Sequence, residues 1–485
     1  MIDVRRLPIE IGQMRGLSAL VLLALATLTG VAVFHDQPLA LGALAAGLAI
    51  FAAMSIDQRL VIPLIVLLLP LEIGARLIPI LETQGTESTE LGTSALNPAR
   101  IGILVGATLW TIRAPREWWT ELPRSLLYLP ALLLLGLYVL SLANTMDIRG
   151  AVDELGRLLV HLVLFFLIAV HVRDRQVLRW TILALLGTGL ALALVGLFQQ
   201  VSDTYLWNEG LRFRAEGIVR RNATFVDSNI YARFLVISMA LALALFFRER
   251  MRVRYFLFAT FAFAALALPF TSSRSNWVAA AVVLPLVVLM LPISARDKIR
   301  SLALGSFVAL LLVPVVTAVE PALADRFRTL AAGTEAGGVR SYLIRAGWQM
   351  FLDHPLFGVG LDSYKDALQG PYRHFLAGSI VQSHTSVITV MSELGILGLI
   401  VLGMFLHRFG QLSRRLYTGG SFEDRTLVAG LVGVSLAIFV SSLTEGRLFE
   451  EPYLWLVMGL TVALATIRQR EAETLTGPRD HEPSG

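Results

Sequence analysis

The sequence contains no cysteine, and charged residues make up only 16% of its 485 residues. The missing cysteines exclude a disulfide framework, a cysteine-ligated metal and thiol catalysis. A soluble protein of this length carries about a quarter charged residues, so the low charge content argues against a soluble enzyme. Lysine is nearly absent too, since Lys298 and Lys365 are the only two. The positive charge of the chain therefore rests almost entirely on arginine.

Apolar residues are abundant instead, at 55% of the chain with a mean hydropathy of +0.68. They form long blocks separated by short connectors that carry arginine, which is the pattern of a polytopic α-helical membrane protein. The net charge of +5 does not indicate nucleic-acid binding, because the basic residues lie between apolar blocks rather than in one patch. We expect one integral membrane domain over residues 1–485, with an uncleaved N-terminus and a polar cytoplasmic tail over 468–485.

The apolar blocks predict about 14 transmembrane helices, within a range of 12–14. Several of these blocks are short or contain proline, which a packed helix bundle tolerates. The predicted spans are Leu17–Phe34, Leu39–Met54, Leu60–Ile80, Ile101–Ile112, Ser125–Leu142, Leu158–Val170, Trp180–Gln199, Asn229–Phe247, Tyr255–Phe270, Trp277–Leu291, Ser301–Val319, Thr385–Leu406, Thr426–Leu443 and Tyr453–Ile467.

The arginines predict the orientation, because cytoplasmic loops of membrane proteins are enriched in basic residues. With both termini in the cytoplasm, every short inner segment is basic. Two outer segments depart from this trend, a periplasmic loop at 201–228 and a large periplasmic loop at 320–384. A planar guanidinium suits phosphate oxygens two at a time, so these arginines either bind an anionic ligand or are merely solvated. Their basic residues are Arg212, Arg214, Arg220, Arg221, Arg326, Arg328, Arg340, Arg345, Lys365 and Arg373.

Two ionisable residues mark the predicted span Thr385–Leu406. His384 lies at its start, where it is either a general base or an interfacial histidine bonded to nearby backbone. Glu393 interrupts its apolar run, and such groups usually face a protein interior or a watery cavity. Nine helical residues span about 13 Å, so Glu393 does not orient His384 from the same helix. We expect Glu393 to tie its helix to a neighbour or to form part of a cavity floor.

Five segments resemble elements of the O-antigen ligase/O-antigen polymerase superfamily of bacterial inner membranes, and they occur in the family's order. DHPLFGVGLDSY (Asp353–Tyr364) is similar to its Pro-Leu-x-Gly-x-Gly element, and SHTSVITVMSELGILGLI (Ser383–Ile400) to the histidine-led helix that follows. SSRSNWVAA (Ser272–Ala280), RRNATFVDSNIYARFL (Arg220–Leu235) and GGVRSYLIRAGWQMF (Gly337–Phe351) are similar to three further elements.

The resemblance covers residues 200–460 and implies a GT-C-type bundle of transmembrane helices with short helices in the large periplasmic loop. It implies a metal-independent, inverting glycosyltransferase without a cofactor, in which His384 is the catalytic base. Thr385 stands where the family usually has asparagine, and Ala223 and Ser228 stand where glycine and proline are common. Carried over to this sequence, the pyrophosphate-binding residues are Arg220, Arg221, Arg274, Arg340 and Arg345, and the supporting residues are Glu393, Asp362 and Asn229.

The implied reaction moves a glycan from undecaprenyl pyrophosphate to an acceptor sugar hydroxyl at the periplasmic face. The product is a polymer of O-antigen or exopolysaccharide repeat units, or, in a ligase of lipopolysaccharide biosynthesis, a glycan on lipid A-core. A chain-length regulator is a further possible partner, and nucleic acid is not one. A flippase or exporter of lipid-linked sugars is the alternative of another class. The sequence shows neither the internal repeats nor the broken helices in corresponding halves that a transporter favours.

The orientation can be tested by cysteine labelling, because the chain has no cysteine of its own. Single cysteines at Gly333 or Asp203 are expected to react with an impermeant maleimide in whole cells. Cysteines at Arg250 or Gly419 are expected to react only after the membrane is permeabilised. Labelling in the reverse pattern would overturn the predicted orientation.

Overall fold

The computed structural model shows an all-α architecture. Apart from one short hairpin, its regular elements in the described residues are helices. The structure describes residues 51–70, 98–113, 123–204, 214–215, 218–225, 227–321, 323–325, 328, 339–373, 385–446 and 448–476.

The helices are numbered here in chain order. They are α1 Val61–Leu68, α2 Pro98–Arg113, α3 Tyr128–Ser141, α4 Ile148–His171, α5 Arg175–Ser202, α6 Ser228–Phe246, α7 Met251–Ala267, α8 Arg274–Met290, α9 Ala295–Val319, α10 Val339–Asp353, α11 Tyr364–Gln369, α12 Ser386–Thr418, α13 Phe422–Glu445 and α14 Pro452–Thr476. Two short 3-10 helices, Gln58–Leu60 and Leu268–Thr271, precede α1 and α8, and the strands β1 Arg214–Ala215 and β2 Ile218–Val219 pair antiparallel.

Within the described residues, seven helices are long and apolar enough to cross a membrane, and three shorter helices are also apolar. The prediction of an all-α polytopic membrane protein is confirmed. Every predicted span that falls within the described residues coincides with helix. The count of 14 stays a prediction, because Leu17–Phe34 and most of Leu39–Met54 lie outside those residues.

Helix α6 forms the centre of the bundle and α9 its rim. In the apolar 18-residue stretch of α6, 78% of the residues are buried. In the corresponding stretch of α9, 6% are buried. A helix that is apolar on every side is suited to a protein interior, and α6 packs against α7, α8 and α13. Helix α9 packs against α8 and exposes most of its apolar surface, as expected of a helix that faces lipid.

Polar side chains fix where several helices begin. The carboxylate of Asp227 accepts the backbone N–H of Asn229 at α6, and Asp174 accepts two N–H groups at α5. At α13, Ser421 and Asp424 form a reciprocal capping box. These side chains bond backbone N–H groups that have no partner within their own helix.

Helix α12 covers the predicted span Thr385–Leu406 and is broken within it. Gly395 has φ 63°, which interrupts the helical hydrogen bonds. The preceding loop replaces them through its backbone, as the N–H of Val359 donates to Ser392 O (2.8 Å) and that of Gly360 to Glu393 O (3.1 Å). The N–H of Ile396 donates to Pro355 O at 2.8 Å. The Pro-Leu-x-Gly-x-Gly element is therefore the structural complement of a broken helix.

The same loop is bonded on its other side to the connection between α3 and α4. Asn144 Nδ2 donates to Gly358 O (3.1 Å), and Thr145 Oγ1 donates to Leu361 O (2.8 Å). The N–H of Leu361 donates to Ser141 Oγ at 2.8 Å. We call residues 355–363 the clamp loop, because its bonds join α3, α4 and α12.

A side chain at Gly358 should disrupt this junction. Gly358 has φ 70°, and an added Cβ would lie 2.3 Å from the backbone carbonyl carbon of Glu393. We expect Gly358→Ala to lower the free energy of unfolding by about 2–4 kcal/mol, which can be followed as thermal stability of the purified protein in detergent.

Gly403→Ala provides the control, because nothing lies within 4 Å of a Cβ at that position of α12. It should be neutral, or stabilising by up to about 1 kcal/mol. Equal thermal stability of the two variants would contradict the role given to the clamp loop.

Candidate active site

Arg220 joins three segments at one end of the bundle. It follows β2, and its side chain is half-buried. Its Nε donates to Thr271 O at 3.0 Å, and its Nη2 donates to Asn229 Oδ1 at 2.5 Å. These bonds bring together the segment after β2, the end of the 3-10 helix before α8, and the first turn of α6.

Arg221 is buried and turns toward α5. Its Nε donates to Gln200 Oε1 at 2.8 Å, and its Nη1 lies 2.8 Å from Asp203 Oδ1. Its backbone N–H donates to Phe270 O at 3.0 Å. A phosphate at Arg221 would have to compete with the carboxylate of Asp203.

The turn after Arg221 contains a strained residue. Ala223 has φ 48°, in the left-handed region that favours glycine, and it occupies a position where the resembling family commonly has glycine. The amide of Gln199 holds it from both sides, since Oε1 accepts the N–H of Ala223 (2.9 Å) and Nε2 donates to its carbonyl (3.1 Å). These two hydrogen bonds compensate for the strain of placing alanine in the left-handed region.

Arg274 is the first residue of α8, so it lies where the helix dipole is positive. Two residues later, Asn276 Nδ2 donates to Asn229 O at 3.1 Å, which places the starts of α6 and α8 side by side. Ser441 of α13 donates to Asn276 Oδ1 at 2.6 Å. Two helix N-termini and three arginines (Arg220, Arg221 and Arg274) therefore occupy the same end of the bundle.

Helix α12 also begins at this end. Ser386 Oγ donates to Ser442 O at 2.9 Å, and Ser442 follows Ser441 in the last turns of α13. His384 precedes the helix by two residues and lies outside the described residues, so its role stays a prediction. Arg340 is in the first turn of α10, with its side chain outside the described part, and Arg345 is exposed on the same helix.

A second polar group lies on α4 and was not predicted. Arg157 forms ion pairs with Asp153 (2.8 Å) and with the buried Glu154 (2.9 Å). Their spacing of three and four residues places them on one face of the helix. The signal in the sequence was a run of opposite charges directly before the predicted span Leu158–Val170.

Asp362 of the clamp loop faces the start of this helix. It has φ 54°, and a Cβ added at Gly150 of α4 would lie 1.9 Å from its Oδ2. Burial is the main cause of its raised pKa of about 6. The Arg157 guanidinium lowers this pKa, and three carboxylates raise it, those of Glu450, Asp147 and Asp366. Asp362 therefore belongs to a group of carboxylates gathered around one arginine.

Glu393 is buried beneath this group. Its Oε1 accepts the N–H of Tyr364 at 3.1 Å, and Tyr364 is the first residue of α11. The carboxylate thus caps α11 from a different helix, which is one of the two roles expected from the sequence.

A buried ion pair connects the two polar groups. Arg233 of α6 binds Glu451, which directly precedes α14, and both side chains are almost fully buried. Arg233 follows Asn229 by one turn of α6, so it lies near Arg220 and Arg274. The neighbouring Glu450 raises the pKa of Asp362 through its negative charge. The segment before α14 therefore lies between an arginine-rich side and a carboxylate-rich side.

Residues 259–403 match the family model of the O-antigen ligase domain. The resemblance drawn from the five segments is confirmed, and no curated protein matches the chain.

The matched region runs from within α7 to within α12 and contains most of the predicted site residues. Arg220, Arg221 and Asn229 lie before it, as do Glu154 and Arg157, and Glu451 lies after it. The arginine-rich side is thus assembled partly from outside the matched region. Among the residues that the structure describes, no three His, Asp or Glu side chains group as metal ligands.

The raised pKa of Asp362 predicts a pH-dependent stability. A folded pKa of about 6 against the ordinary 3.8 means that the folded state favours the protonated carboxyl. The associated stability is present below pH 4 and is lost as the pH rises through about 6. Asp362→Asn mimics the protonated form and tolerates positive φ, so its melting temperature relative to wild type should increase between pH 5 and pH 8.

Asp325→Asn is the matched control, because Asp325 is strongly exposed. The melting temperature of Asp325→Asn relative to wild type should be the same at pH 5 and at pH 8. A stability difference for Asp362→Asn that is constant with pH would show that the carboxyl is ionised without cost in the folded protein.

Proposed function

We propose that this chain transfers a glycan from undecaprenyl pyrophosphate to the hydroxyl of an acceptor sugar at the periplasmic face of the inner membrane. The match of residues 259–403 to the O-antigen ligase family model supports glycan transfer of the ligase/polymerase type. The observation that carries the finer proposal is the convergence of Arg220, Arg221 and Arg274 with the N-termini of α6 and α8.

The arginine-rich side suits the leaving group. In transfer from a lipid pyrophosphate, negative charge grows on the bridging oxygen as the glycosidic bond breaks. Guanidinium groups and helix N-termini stabilise such charge without a metal ion. Pyrophosphate leaves readily, so the reaction does not require a general acid.

The acceptor requires the opposite chemistry, namely removal of a proton from a sugar hydroxyl. We assign this step to His384, which precedes α12, a helix that begins beside the end of α13. The positive end of a helix favours neutral imidazole, which is the form a base needs. One displacement at the anomeric carbon then inverts its configuration. The carboxylates near Asp362 are suited to accept hydrogen bonds from acceptor hydroxyls.

We propose polymerisation of repeat units as the physiological outcome, in which the acceptor is a second lipid-linked unit. A ligase would use the same donor chemistry with lipid A-core as acceptor. Offering both acceptors to the purified protein separates the two, because only a polymerase lengthens the glycan when a single lipid-linked repeat unit is both donor and acceptor.

The decisive assay measures glycan transfer by purified protein in the presence of a chelator, across pH 5–9. Transfer by the wild type should rise with pH as the histidine loses its proton. His384→Gln keeps hydrogen bonding without basicity, so transfer should fall roughly 10²–10⁴-fold. His354→Gln is the control, because His354 is exposed at the end of α10, and it should retain activity.

Arg274→Lys extends the same assay to the leaving group. It keeps the charge and loses bidentate contact, so transfer should fall, whereas Arg328→Lys should be mild because the Arg328 side chain is exposed. Full activity of Arg274→Lys would remove it from the pyrophosphate site.

Robust transfer by His384→Gln would move the role of base to Asp362, and loss of wild-type transfer with chelator would overturn the metal-free mechanism.

A further inference from the structure

A cavity of about 360 Å³ lies at the end of the bundle opposite the candidate active site. Helix α5 shows that the two are opposite, because it has 28 residues and is about 42 Å long. Its first turns line the cavity, whereas Asp203, just beyond its last turn, binds Arg221. Under the predicted orientation this is the cytoplasmic end.

The cavity walls are apolar and its mouth is charged. Helices α5, α6, α7 and α13 meet here, and Leu178, Ile182, Leu245 and Leu257 supply apolar surface. The charged residues of the lining are Arg175, Arg179, Arg248, Glu249 and Glu423. A charged mouth suits the head group of a lipid, and the apolar wall beneath it suits the hydrocarbon chain.

The three arginines differ in how fully they are paired. Arg175 is bound by Asp424 and Glu471, the latter at 2.8 Å. Arg248 lies 3.4 Å from the carboxylate of Glu249 and 3.7 Å from that of Glu423, and its Nη1 donates to Glu423 O at 3.2 Å.

Arg179 makes one hydrogen bond within the described residues, from Nη2 to Glu249 Oε2 at 3.0 Å, and its side chain is 51% exposed. A guanidinium has five N–H donors, so Arg179 retains donors for an anion at the mouth.

We propose that this cavity binds the phosphate of an anionic membrane phospholipid, with Arg179 and Arg248 on the phosphate and an acyl chain along the apolar wall. Basic pockets between transmembrane helices at the cytoplasmic side are suited to anionic head groups. The apolar wall favours a lipid over a soluble phosphate, because a soluble ion would leave that surface unused. This site is independent of the proposed glycan transfer.

The test is native mass spectrometry of the delipidated full-length protein titrated with phosphatidylglycerol or phosphatidylethanolamine. Wild type should bind phosphatidylglycerol more tightly. Arg179→Gln should weaken that binding about fivefold, the effect of one basic charge near an anionic lipid. Arg296→Gln removes an exposed arginine from the same end of the bundle, at the start of α9, and should leave binding unchanged.

Glu249→Gln gives the opposite sign, which separates lipid binding from a loss of fold. It removes the carboxylate that competes for Arg179 and Arg248, so phosphatidylglycerol should bind more tightly. Equal affinity for the two lipids, equal weakening by Arg296→Gln, or weaker binding by Glu249→Gln would overturn the proposal. Competition by glycerol 3-phosphate at the affinity of the whole lipid would overturn it as well, because the ligand would then be a free phosphate.

Discussion

The architecture of the site depends on the repair of a broken membrane helix. Backbone groups that lose their partners inside a bilayer cost several kcal/mol each, and Gly395 creates such groups in the first third of α12. The clamp loop satisfies them with its own N–H and C=O groups and is itself held by the connection between α3 and α4. Gly358 and Gly360 permit this close approach because both have positive φ.

This junction also explains why charge is tolerated near the membrane boundary. By fixing the clamp loop, it places Asp362 against the start of α4 and lets Glu393 cap α11. Burial of several carboxylates around one arginine is costly unless each is bonded or protonated. The raised pKa of Asp362 is the physical result mainly of burial, to which the neighbouring carboxylates add.

The two ends of the bundle serve different chemistry under our proposals. The end with the O-antigen ligase motifs gathers arginines, helix N-termini and carboxylates, as glycan transfer from a pyrophosphate requires. The opposite end has an arginine-lined mouth above an apolar wall, which suits a structural lipid. The buried pair of Arg233 and Glu451 holds the two sides of the first end together, at the cost of desolvating both charges.

The sequence by itself determined the fold class, located the helices and indicated the family that the chain resembles. Apolar blocks inside a bilayer leave helices as the way to satisfy the backbone, so the spans within the described residues were predictable. Several helices extend beyond their predicted spans, α4 from Ile148 and α12 to Thr418. The five motifs indicated the resemblance because each keeps its residues at short spacing, and four of them lie within the matched residues 259–403.

Contacts across long separations were decided only by the tertiary structure. No local pattern shows that Glu393 caps α11, that Arg221 is paired with Asp203, or that Glu154 and Arg157 lie near Asp362. The break at Gly395 was missed for the same reason, since a glycine in an apolar run is compatible with helix packing until a partner loop is present. The hydrogen bonds that stabilise the break come from a segment more than thirty residues earlier in the chain, and only the packed bundle brings the two together.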